Sequence, residues 1–258
     1  MLMLRSNQVE AFRNAALDRY VGRTIEHFQE YFPKYCQVVG VEALDRLIRM
    51  GITRAEPYGI VSERDVCLYV TIMITLGAEF DVDPQYPWAV AILHDQTIDD
   101  PSERADQLFD TATRKHKEFA GEENQHLQRA IARLRSFSND DQLTPSTGTT
   151  VADVIVDIWR SLYPTKCAAV GDSALRSLCD AAQRRAARYN LHQPRSISIY
   201  VTVAFFLGIG FDVDPQFPWV SAAMNDAGQP SEQTRAYALR SAAIDFANRL
   251  FTKPGPQQ

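Results

Sequence analysis

Phe80-Asp81-Val82-Asp83-Pro84-Gln85-Tyr86-Pro87-Trp88 returns later in the chain as Phe211-Asp212-Val213-Asp214-Pro215-Gln216-Phe217-Pro218-Trp219, with one change, Tyr to Phe. The two stretches lie 131 positions apart, from Asp83 to Asp214. The same spacing pairs Pro33 with Pro164, Cys36 with Cys167, Arg54-Ala55 with Arg185-Ala186, and Tyr58 with Tyr189. It also pairs Arg64 with Arg195, Tyr69-Val70-Thr71 with Tyr200-Val201-Thr202, and Leu76-Gly77 with Leu207-Gly208. A register held over so many residues marks an internal repeat, and a repeat governs the reading of everything else. The expectation is an all-α protein of two tandem copies of one helical domain in a pseudo-two-fold relationship: residues 1–135, a linker at 136–150, and residues 151–258. The linker assignment rests on the polar stretch Ser136 to Thr150, which carries Asn139-Asp140-Asp141 and Thr144-Pro145-Ser146. Beyond Asp95 and Asp226 the second copy reads as two residues shorter, with Pro101-Ser102-Glu103 falling opposite Pro230-Ser231-Glu232.

Outward from the repeated block, the periodicity is helical. Val9, Phe12, Ala16, Tyr20, Ile25 and Phe28 recur every three to five residues, predicting a helix over 7–31, with a counterpart from Val151 to Leu162. Second helices are expected over Gly40–Met50 and Asp172–Arg188. Ser62 followed three residues later by Asp65 reads as a capped helix start, and the nearly all-apolar run from Val66 to Leu76 marks that helix as central. Its twin, Ile197 to Leu207, is rich in strand-forming residues but is assigned as helix by analogy with the capped copy. Pro101–Phe119 and Pro230–Phe251 are the expected last helices, and Glu122–Leu134 a connecting one.

In the repeated corner, Asp83 and Asp214 are read as turn caps with Pro84 and Pro215 at the first helical position that follows, and Pro87 and Pro218 as restarting or bending the chain into a short helix bearing Trp88 or Trp219. Arg64 and Arg195, retained in both copies, are expected to reach Asp81 and Asp212. Tyr69, Tyr200, Trp88 and Trp219 are expected in the core. Asp81 and Asp83 match the first two ligand positions of a calcium loop, but Gln85, the missing glycine and Pro87 break that pattern. Gly171-Asp172-Ser173-Ala174-Leu175 resembles an esterase nucleophile block, yet it opens a predicted helix and is better read as a cap. The five histidines form no His-Glu-x-x-His, and no phosphate loop or Gly-x-Ser-x-Gly is present. No catalytic, cofactor or metal residues are assigned.

Composition narrows the partners. The formal charge of −5 disfavours general nucleic-acid binding, which needs a cationic face to displace counterions. No apolar run is long enough for a membrane span, and the four cysteines form no Cys-x-x-Cys, so a cytoplasmic protein with free thiols is expected.

The block from Gly59 to Tyr69 (Gly-Ile-Val-Ser-Glu-Arg-Asp-Val-Cys-Leu-Tyr), followed by Leu76 to Ala89, resembles a family of small helical bacterial proteins encoded beside spike and effector genes of type VI secretion systems. The likeness covers about residues 54 to 105 and, less closely, Arg185 to about Arg235. The second copy departs at Pro194 and Ser196, where the first has Glu63 and Asp65, and the family is expected to carry one copy. The resemblance implies a non-enzymatic, protein-binding accessory, an effector co-chaperone or adaptor, and brings no site residues. An immunity protein whose acidity matches a basic toxin is the alternative, and an enzyme with a carboxylate site hidden from sequence is a third.

Overall fold

The computed structural model describes residues 6–136, 150–225 and 231–251, and among these every regular element is helical. The expected linker therefore lies outside the described residues apart from its two end positions. The chain runs α1 (Ser6–Tyr31), α2 (Pro33–Val39), α3 (Val41–Ala55), α4 (Glu63–Leu76), α5 (Pro87–Leu93), α6 (Pro101–Ala120) and α7 (Gln125–Ser136). It continues as α8 (Val151–Leu162), α9 (Pro164–Val170), α10 (Asp172–Ala186), α11 (Pro194–Leu207), α12 (Trp219–Asn225) and α13 (Glu232–Phe251).

Local chemistry explains these boundaries. Ser62 caps α4 by accepting from the Asp65 amide at 3.2 Å, and Thr150 closes a reciprocal capping box with Asp153 at the start of α8. Pro33 and Pro164 each occupy the first helical position, so they start the short helices α2 and α9 instead of only ending the helix before them. Gly40 and Gly171, at φ 88° and 85°, turn the chain from these helices into α3 and α10. Gly171 is thus the cap of α10 and no side chain caps it, so Ser173 is not a cap; it sits in the first turn.

The bounds of α2, α3 and α4 recur at a spacing of 131 in α9, α10 and α11. So do those of α6 in α13, which corrects the expected two-residue shortening. Arg104 donates to the carbonyl of Tyr58 at 2.9 Å and Arg235 to that of Tyr189 at 3.0 Å. Ala105, Leu108 and Ala112 are buried as Ala236, Leu239 and Ala243 are. Helix register is set by the face that packs inward, so the proline match at 230 misled.

Helices α4 and α11 are the central elements. Helices α3 and α6 pack on α4, and α10 and α13 on α11. Cross-packing of α6 on α9, α13 on α2 and α7 on both α8 and α13 joins the two stretches. One hydrophobic cluster runs through both, from Phe28 and Tyr69 to Trp159 and Phe205. The Trp159 ring stacks on Phe205 at 4.6 Å while its indole N–H donates to Thr202 at 3.1 Å, satisfying a fully buried polar group. No described helix is long and apolar enough to cross a membrane.

Candidate partner-binding groove

The repeated corners lie where α4 and α11 end against each other. Gly77 and Gly208 have φ of 101° and 96°, and a side chain on either would meet the other helix's last carbonyl, Leu207 O at 2.6 Å or Leu76 O at 2.7 Å. Glycine is required here twice over, by backbone angle and by close approach.

Each corner is completed by the opposite one. Asp83 accepts from its own turn through Oδ1, from the Gln85 amide at 2.9 Å, as a turn cap should. Its Oδ2 accepts from the Ile209 amide at 2.7 Å, across the junction. Asp214 repeats this, taking the Gln216 amide at 2.9 Å and the Ala78 amide at 2.8 Å. Gln85 and Gln216 reach over in turn, donating to the carbonyls of Ala204 at 3.4 Å and Met73 at 3.1 Å. Burial pushes both carboxyls up to about 6, although the amide bonds pull the other way.

The first aspartates have different partners from those expected. Asp81 is held by Arg54, at 2.5 Å from Nη2, and by Tyr58; Asp212 is held likewise by Arg185 and Tyr189. Arg185 also pairs with Glu79 at 2.8 Å, which links the two corners. Arg64 instead lies on the exposed side of α4 and pairs with Asp65 and Asp106, while Arg195 lies over the Tyr237 ring at 5.1 Å. A first-turn arginine faces away from the far end of its own helix, so it cannot close on the corner; an arginine at the end of α3 can. Arg54, Arg185, Tyr58 and Tyr189 were visible as retained pairs in the repeat. Tyr69 and Tyr200 are buried as expected, against Phe80 and Phe211, whereas Trp88 and Trp219 are only partly covered. Pro84 and Pro215 lie in turns and open no helix, because the chain after each aspartate makes only a turn before the next proline; Pro87 opens α5, and Pro218 directly precedes α12. Among the described residues, no group of three or more His, Cys, Asp or Glu is placed to hold a metal ion.

Beside the corners opens a groove of about 750 Å³. Its walls come from the α1–α2 junction, α4, α6, the inward face of α7, α11 and α13. They are largely aliphatic and aromatic, and among the described residues no carboxylate lines them. Tyr31 and Phe32 stand at this groove, 61% and 39% exposed. The Tyr35 hydroxyl in the wall donates to Gln216 at 2.6 Å, tying the groove to the corner behind it. His116 in the opposite wall is lowered to about 4 by burial and by the nearby Lys166, so it is neutral at neutral pH. A shared groove is what duplicated helical units can leave between them, but the residues that line it were not legible in the sequence, because they come from seven separate helices.

Lys166 occupies the place that corresponds to Tyr35. It is buried, its Nζ donates to the Phe205 carbonyl at 2.5 Å, and the rings of Phe205, Phe119 and Tyr86 surround it. Burial lowers it to about 8, with Asp83 opposing the shift. Comparison with models of protein families, with curated proteins and with solved structures finds no match.

Proposed function

We propose that the chain is a tandem duplication of one helical unit, fused through reciprocal corners, that serves as a non-enzymatic, protein-binding accessory of a bacterial type VI secretion system. It works in the cytoplasm as an effector co-chaperone or adaptor. The observation that carries this reading is the groove: apolar walls, no carboxylate among the described lining residues, and two exposed aromatic residues at its edge. Apolar surface of that extent on a folded chain marks a place where another molecule is covered. The recurrence of helix bounds and corner bonds at one spacing supports the duplication, and the resemblance around residues 54–105 supports the secretion context.

The net charge of −5 favours a second reading, an immunity protein that neutralises a basic toxin. Co-expression with the products of the neighbouring genes separates the two. An accessory raises the soluble yield of an effector and co-purifies with it before secretion. An immunity protein instead abolishes the toxicity of an effector that is already folded and soluble. Failure of any neighbouring product to co-purify would sink both.

A further inference from the structure

The bonds across the junction come in pairs related by the spacing of 131. Asp83 takes the Ile209 amide and Asp214 the Ala78 amide; Gln85 donates to the Ala204 carbonyl and Gln216 to that of Met73. Within each pair the two stretches exchange roles. That is the pattern of an isologous interface, in which one patch faces its own equivalent across a two-fold axis. Such bonds are self-complementary, so by themselves they do not distinguish a first-stretch corner from a second-stretch one.

One position breaks the equivalence. Glu79 stands where the second stretch has Gly210. Its carboxylate spans the junction, with Oε2 2.8 Å from Arg185 Nη1 and Oε1 3.9 Å from Arg54 Nη1, and these two arginines correspond to each other. A β-carbon on Gly210 would lie 2.5 Å from Glu79 Cγ and 2.7 Å from its Cδ and Oε2. Gly210 is not among the glycines of positive φ, so its backbone would accept a side chain; what excludes one is the glutamate opposite. Charge acts in the same direction. Arg54 and Arg185 already hold Asp81 and Asp212, and Asp214 stands close enough to feel Glu79. A further carboxylate at the junction would be half-buried with no cation of its own.

The geometry points to Glu79 and Gly210 as the pair that sets which partner a corner accepts: a corner bearing the glutamate fits a corner bearing glycine at the same place. Two glutamate corners would press two carboxylates into a space that holds one. Two glycine corners would leave both arginines without the carboxylate that joins them. The partner fitted by the first corner is therefore a second corner, from the same polypeptide or from another copy of this chain. The inference rests on the duplication proposed above and is independent of the secretion role.

The test uses the full chain. Gly210→Glu should lower the melting temperature by about 5 °C or more, and Glu79→Gly should lower it as well. The exchanged variant, Glu79→Gly with Gly210→Glu, has the wild-type composition and returns one carboxylate to the same two arginines from the other side. It should melt within about 2 °C of the wild type. If Gly210→Glu is too unstable to purify, the exchanged variant still decides the matter. Wild-type melting of Gly210→Glu would overturn the inference and leave the duplication standing. An exchanged variant that merely adds the losses of the two single variants would show that the two places are not equivalent, and the duplication would fall together with the inference.

Discussion

Asp83 and Asp214 divide their two oxygens between tasks, one folding the local turn and the other fastening a backbone amide from across the junction. Replacing either with alanine strands buried amides, each worth about 1–3 kcal/mol. Asp83→Ala and Asp214→Ala should each therefore lower unfolding free energy by about 3 kcal/mol, read from urea denaturation at neutral pH. Lys166 supplies a pH signature. Its folded value of about 8 lies below the ordinary 10.5, so between those limits the unfolded chain holds a proton that the folded chain has released. Stability should therefore rise with pH across that window, and the cost of burying an ammonium is fully present below it. Lys166→Met should flatten this rise; an unchanged slope would show that Lys166 is not its source. At this scale the sequence revealed which residues the repeat retains but not their pairings. Arg54 and Arg64 were equally retained, and only the direction each side chain takes from its helix decides which one meets Asp81.

The helices themselves were largely legible. The spacing of apolar side chains located α1 and, through the repeat, α8; the Ser62 cap and the apolar run after it located α4, and analogy with that copy assigned α11. The short helices α2 and α9 escaped notice because Pro33 and Pro164 read as stops, while a proline at a first helical position serves equally as a start. Two substitutions test the element-level account. Thr150→Ala removes one half of the capping box on α8 and should cost about 1 kcal/mol. Gly77→Ala forces a side chain into a left-handed position and onto the Leu207 carbonyl, and should cost about 3 kcal/mol or more. Similar stability for the two variants, measured by thermal melting, would mean that the crossing of α4 and α11 tolerates separation.

For the whole molecule, the shared hydrophobic cluster and the exchanged corner bonds predict a single cooperative transition. Tryptophan fluorescence, with Trp88 in one stretch and Trp159 and Trp219 in the other, should trace the same urea curve as far-ultraviolet circular dichroism. Asp214→Ala should shift that curve as a unit. Two separated transitions would mean that the halves fold independently. The repeat was readable from sequence, whereas the residues that line the groove were not, because they are brought together only when separate helices of both stretches pack.

The corner bonds have a further consequence, since Asp83 needs the amide of an Ile209 but has no means of sensing whose polypeptide supplies it. Refolding at high protein concentration should therefore yield some entangled dimers, in which each molecule lends its second half to a neighbour with every local contact preserved. Such species should persist on dilution for as long as the corners stay closed.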